Sequence, residues 1–346
     1  MKLFASKTLS VGVAALLACL PLVCVSDAGI IEWVTVGDPG NAADTSPAGY
    51  GAVAASFRIM KYEFTNQLYT EFLNSVAATD TYGLYNTGMA LDALGGISRT
   101  GSSGAYTYSI KTNMGDKPVN FVSWFDAERV SNWLMNGATS SSSTETGAYT
   151  LVGGQTTGTA PAVNPGATFY VPTQNQWYKA AYYKGGSTNA GYWNYATQSD
   201  TAPTAVTAGP TGIGSAGSTG NFANYNNIAT WNSRAGNVTT VGTNGGPSFY
   251  GAFDMNGNVT ELYDLTGAAN SSSGLTGGNS TNNSYVMSSS FYYSITAPDS
   301  YNIVGLRLAS PVSVSGVPEI DPNGLSAVLG LIVGGLGLLE RRRYAR

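Results

Sequence analysis

Apolar and polar positions follow short, readable periods as far as residue 183 and lose them afterwards. Ile31 to Val36 alternates as a strand does. The run Phe57-Arg58-Ile59-Met60-Lys61-Tyr62-Glu63 alternates again and predicts a second strand. Thr65 then stands where a helix cap belongs, and Leu68, Phe72, Leu73 and Val76 fall on one helical face. Residues 78–116 are rich in Gly, Thr and Tyr and show no period. Pro118-Val119-Asn120-Phe121-Val122 leads into a second helix, with Ser123 and Asp126 spaced as a capping box and Phe125, Val130, Trp133 and Leu134 as its buried face. A Ser/Thr/Gly-rich loop fills 137–164. Thr173 and Gln176 repeat the box ahead of a third helix carrying Trp177 and Ala180 to Tyr183.

From Gly185 onward turn signals dominate, among them Asn244-Gly245-Gly246-Pro247 and Asn256-Gly257. The pattern predicts one α+β domain with short helices, short strands and long loops. Such loops must satisfy their backbone polar groups with side chains, water or an ion.

The two ends differ from this middle. Lys2 and Lys7, the apolar run Leu9 to Val25, and the small residues Ser26 and Ala28 make residues 1–28 a secretory signal peptide cut before Gly29. Leu16-Leu17-Ala18-Cys19 is a loose lipobox and leaves a lipoprotein as the alternative. At the other end, residues 317–322 (Val-Pro-Glu-Ile-Asp-Pro) precede the apolar run 325–339 and the arginine cluster 341–343. That run is short for a membrane span of about 20 residues but can reach with its flanks, leaving the arginines cytoplasmic. A plain tail anchor is one explanation. The order of motif, apolar helix and basic cluster resembles the PEP-CTERM sorting signal, although Ile320 stands where a second Pro is usual. That resemblance implies transient anchoring of 325–339 in the inner membrane. An exosortase-type enzyme then processes the chain for the cell surface or the extracellular matrix. The expected organisation is a signal at 1–28, a domain at 29–312 and a sorting segment at 313–346.

Composition narrows the chemistry. The 346 residues include no His and two Cys, Cys19 and Cys24, both inside the predicted leader. Imidazole bases, His-containing triads, thiolate nucleophiles and thiolate or imidazole metal sites are thereby excluded from the domain. The net charge of −4 with no basic stripe ahead of the last residues argues against nucleic acid.

Asp254-Met255-Asn256-Gly257-Asn258-Val259-Thr260-Glu261 is the most site-like segment, with oxygens of Asp254, Asn256, Asn258 and Glu261 around a glycine turn. Hard oxygen donors suit Ca²⁺, though an Asn/Gly turn taken alone is more often only a turn. Asp126, Glu128, Asp254, Glu261 and Asp264 are the candidate acid–base carboxylates, but no spacing makes any two of them face each other. Position on the helix gives Asp126 and Glu128 a capping or solvated role. Tyr182, Tyr183, Tyr192, Trp193, Tyr195, Phe291, Tyr292 and Tyr293 are core aromatics first and sugar-stacking platforms second.

Five segments then occur in a shared order: 60–66 (MKYEFTN), 118–124 (PVNFVSW), 171–177 (VPTQNQW), 254–261, and Gly305-Leu306-Arg307. Together they resemble the formylglycine-generating enzyme, or sulfatase-modifying factor, domain family over roughly residues 30–310. The resemblance implies a C-type-lectin-like α+β fold with bound calcium. Its ligands would be Asp254 and Glu261 by side chain, Gly257 and Val259 by carbonyl, and, at a second site, Asn224 by side chain and Tyr225 by carbonyl.

The family's oxidase chemistry does not carry over. It needs a cysteine pair for copper, or His ligands for iron in some relatives. The matching stretch from Gly277 to Tyr301 holds Ser288-Ser289-Ser290 and Tyr292-Tyr293 but no Cys. A Ser hydroxyl is hard and stays protonated, so it cannot replace a thiolate on Cu(I). Thr276, Thr260, Gln174 and Gln176 depart further from the family pattern. Neither copper nor iron is expected. The expected function is exported, non-catalytic binding of a polysaccharide or surface protein. A formylglycine-generating oxidoreductase and a structural coat protein are the alternatives.

Overall fold

A computed structural model of the chain describes residues 31–46, 49–291, 293–295 and 300–312. Both predicted N-terminal strands form. β1 (Trp33–Val36) pairs antiparallel with β2 (Phe57–Met60), Trp33 opposite Met60 and Val36 opposite Phe57. The second strand ends at Met60 rather than Glu63, because beyond one last bond from the Lys61 N–H to Glu32 O the backbone turns to other partners, Lys61 O taking the Phe253 N–H and Phe64 N–H reaching Leu306 O. Thr65 caps α1 (Asn66–Val76) by accepting from the Leu68 N–H, and Leu68, Phe72 and Leu73 are buried as the period requires.

The region without a period holds α2 (Gly88–Leu91) and a hairpin of β3 (Ile97–Thr100) and β4 (Thr107–Ile110). Each of these strands fully buries one residue, Ile97 or Tyr108, which is too little alternation to detect. α3 (Trp124–Met135) and α4 (Gln174–Tyr182) both start with the predicted boxes, and Tyr183 is the cap rather than the last turn of α4. The loop after α3 has no regular element of its own. It is pinned to the helix by Arg129 on Glu145 (2.8 Å) and by Asn132 donating to Thr144 O (2.8 Å).

The remaining strands are short. β5 (Thr204–Ala205), β6 (Phe222–Ala223), β7 (Thr230–Trp231) and β8 (Arg234–Ala235) make two isolated pairs. β9 (Thr260–Asp264), β10 (Ser273–Thr276), β11 (Tyr293–Ile295) and β12 (Val304–Gly305) form a sheet ordered β11-β10-β9-β12, with β12 parallel to β9. β13 (Ala309–Pro311) returns to β2 and completes a β1-β2-β13 sheet, with β2 in the middle between the first described strand and the last. One core lies under α1 and α3, where Phe72 meets Trp133 at 5.4 Å between ring centres. Truncating such a ring to Ala typically costs about 3–5 kcal/mol. The other lies between α4 and the three-stranded sheet, around Trp177, Tyr182, Phe57 and Ile59. The architecture is mixed α+β with no closed barrel, as expected.

The predicted leader (1–28) and sorting segment (313–346) lie outside the described residues. Among the described residues no helix is long and apolar enough to cross a membrane.

Candidate functional site

Four of the five segments that carried the sequence resemblance meet at one buried junction, and the fifth, 118–124, runs alongside it, with the Val119 N–H on Phe64 O at 2.8 Å. The 254–261 segment turns at Gly257 and docks beside Asn224, with the Asn258 N–H bonded to Asn224 O at 2.9 Å. Gly257 sits at φ +84, and a Cβ there would lie 2.3 Å from Asn224 O, so no other residue fits. The chain then enters β9 and presents Glu261 inward. Both Glu261 oxygens accept from Arg307, with Nη2 to Oε1 at 2.7 Å and Nε to Oε2 at 2.9 Å. Oε2 also accepts from the Trp177 indole at 2.7 Å. Arg307 spends its remaining donors on Met60 O (2.8 Å) and Phe253 O (2.7 Å).

Glu63, in the 60–66 segment, completes the junction. Its oxygens accept from Asn258 Nδ2 (2.7 Å) and the Val259 N–H (3.2 Å). Burial, together with the nearby Asp254 and Glu261 charges, pushes Glu63 well above the ordinary carboxylate range. Asp254 is also raised, chiefly by burial, although it accepts from the Gly242 N–H and from Asn244 Nδ2. Glu63 and Arg307 were not among the candidate ligands. The signal for Glu63, as for Arg307, was its place in a shared motif.

The carbonyl and side-chain donors proposed for calcium separate into two groups. Asp254 and Glu261 are met by protein donors, as above. Asn224 donates to Asn237 O (2.9 Å), Thr239 Oγ1 (3.0 Å) and Asn258 Oδ1 (3.1 Å), while its own Oδ1 is buried with no hydrogen-bond partner. Among the described residues no three His, Cys, Asp or Glu side chains converge on a metal position.

The stretch that replaces the family's cysteines is packed rather than open as far as it is described. Gly277 and Gly278 pass Trp177 and Met287, and a short 3₁₀ turn (Ser284–Met287) follows. Met287 is buried, and its carbonyl accepts from Asn256 Nδ2 (2.7 Å) and Tyr182 OH (3.0 Å). Ser288 donates to Tyr285 O at 2.8 Å, and Ser289 is held by Asn194. Tyr182, Tyr183 and Tyr195 are core side chains, Tyr192, Trp193 and Phe291 are half-buried, and the side chains of Tyr292 and Tyr293 lie outside the described residues.

The carboxylates of α3 behave differently from one another. Asp126 caps the helix, accepting from the Ser123 N–H (2.8 Å) and hydroxyl (2.7 Å). Glu128, expected to be solvated, is instead fully buried and accepts from the Trp124 indole at 2.8 Å. Burial pushes it up to about 9, with Asp264 nearby adding to the shift. The misjudgement has a physical source: the loop after α3 folds back over a helix face that local periodicity leaves exposed. Next to Asp126 lies a cavity of ≈ 180 Å³ bounded by the Tyr82–Asn86 loop and the first turns of α3.

A model of the sulfatase-modifying factor enzyme 1-like domain matches residues 33–312. Among solved structures, CarF is 22% identical with a TM-score of 0.49, covering 82% of this chain and 99% of its own. Treponema denticola variable protein 1 is 16% identical with a TM-score of 0.43, covering 81% and 94%. PvdO from Pseudomonas aeruginosa is 17% identical with a TM-score of 0.41, covering 82% and 92%. No curated protein sequence matches the chain.

Proposed function

The chain belongs to the sulfatase-modifying factor family, and on that footing we propose that it is a member turned from oxidation to binding, acting at the cell surface or in the extracellular matrix. The observation that carries this reading is the donor inventory of residues 277–301, which offers Ser288, Ser289 and Ser290 but no thiol, in a chain with no His. Hydroxyls do not hold Cu(I). Export rests on the leader at 1–28 and the sorting-like tail at 313–346, with an exosortase-type enzyme as processing partner and 325–339 as a transient anchor. The ligand is a polysaccharide or a surface protein.

Calcium is the proposed structural ion. Asn224 Oδ1, buried and unpartnered, fits a hard cation, and the Tyr225 carbonyl follows it in the chain. The proposed companion ligands are Asp254 and Glu261 by side chain and Gly257 and Val259 by carbonyl. Because those two carboxylates already have protein donors, the proposal leans on Asn224. A bound cation would tie the segment at Asn224 to the 254–261 turn and take no part in bond chemistry.

Metal analysis of the chain processed at Gly29, free of Cys19 and Cys24, after exposure to both calcium and Cu(I) tests the reading. Calcium without stoichiometric copper supports it, together with a melting temperature that EDTA lowers in the wild type but not in Asn224→Ala. One tightly held copper per chain would overturn it.

A further inference from the structure

We propose that the cavity at the start of α3 binds one unit of an uncharged saccharide. The inference rests on the binding role proposed above and gives that role a ligand class and a place. The cavity of ≈ 180 Å³ is lined by Tyr82, Asn86, Phe121, Asp126, Arg129 and Ser300, with the exposed Thr156 at its edge.

Two of these side chains have hydrogen-bonding capacity that the protein does not use. Asp126 takes the Ser123 N–H and hydroxyl on Oδ2, and among the described residues no donor reaches its Oδ1. Arg129 binds Glu145 through Nε and Nη2 and the Gln155 carbonyl through Nη2, whereas Nη1 is buried with no partner. The guanidinium is also fixed in place, because it lies over the Tyr82 ring at 4.4 Å. With no accessible surface of its own, the guanidinium stiffens the cavity's wall and sets its charge rather than presenting a donor to its contents.

Backbone strain marks the same wall. Phe121 sits at φ +59, a left-handed conformation expensive for a bulky residue. Its ring rests against Gly88, where a Cβ would fall 2.4 Å from the ring edge. Its N–H is held by Tyr301 O at 3.0 Å.

The charge balance selects the ligand class. Glu145 already neutralises Arg129, so an anion gains little there and meets Asp126. A cation drawn to Asp126 meets the guanidinium. A sugar hydroxyl can donate to Asp126 Oδ1, and the half-buried rings of Tyr82 and Phe121 suit the C–H face of a pyranose.

The test is ligand-observed NMR and calorimetry of the full-length chain with glucose, galactose, mannose and N-acetylglucosamine at millimolar concentration. At least one should bind. Asp126→Asn, which keeps a capping oxygen but turns a donor toward the ligand, should weaken binding by about tenfold or more. Thr156→Trp, a change at an exposed position that fills the mouth, should abolish it. Absence of binding by all four sugars overturns the proposal, as does binding that Thr156→Trp leaves unchanged. Should Asp126→Asn fail to fold, Thr156→Trp decides alone. Any of these failures leaves the metal analysis standing, and a copper-loaded protein that still binds sugar in this cavity would sink only the earlier reading.

Discussion

Two of the buried groups of charged residues in this domain differ in what remains unpaired. At the junction of Glu63, Glu261 and Arg307, each carboxylate oxygen and each guanidinium nitrogen has a protein partner. At the cavity beside α3, Asp126 Oδ1 and Arg129 Nη1 have none among the described residues. The first arrangement ties Met60, Phe253, Trp177 and β9 together, and its unmet oxygen is that of the neighbouring Asn224. The second has unused capacity next to open space. The residues that mark the family are therefore scaffold, and the place to look for this chain's own activity is where its polar groups remain unmet.

The largest effect expected of this contrast is on stability at the junction. Arg307→Met strands Glu261 beside Glu63 and Asp254 and should cost about 3–5 kcal/mol in urea unfolding. Adding Glu261→Gln should restore part of that loss. A cost below about 1 kcal/mol would mean the junction does not hold the segments together.

Next comes the pH dependence set by Glu128. Burial raises this carboxyl from its ordinary 4.5 to about 9 in the folded chain, so the folded state holds a proton that the unfolded state releases. Its contribution is complete below about 4.5 and is lost as pH climbs toward about 9. Melting temperature should fall from pH 5 to pH 9, and Glu128→Gln should flatten that slope. A wild-type melting curve that rises over this range would contradict the assignment.

How much of this was readable beforehand depends on how local the cause is. The boxes at Ser123/Asp126 and Thr173/Gln176 formed as spaced, because a residue three positions away makes each bond. The β3–β4 hairpin was not readable, since Ile97 and Tyr108 alone carry its burial. Nor was the pairing of Glu261 with Arg307, which β9, β12 and the returning chain bring together. The cavity depends on the Tyr82–Asn86 loop meeting α3, and neither segment has a pattern that announces it.

Smaller effects belong to the cavity side. Ser123→Ala removes the α3 cap and should cost about 1 kcal/mol, read from the same urea curves. Thr156→Trp should stay within about 0.5 kcal/mol of wild type, as an exposed substitution away from the core. A large loss from Thr156→Trp would make the mouth of the cavity part of the scaffold and erase the contrast.

The claim that this family member binds rather than oxidises is tested most directly by dioxygen uptake. The chain processed at Gly29 would be mixed with Cu(I), a reductant and a cysteine-containing sulfatase peptide, with the peptide mass followed in parallel. The account predicts uptake no faster than in the protein-free control and an unchanged thiol; steady oxygen consumption coupled to loss of that thiol in favour of an aldehyde would contradict it.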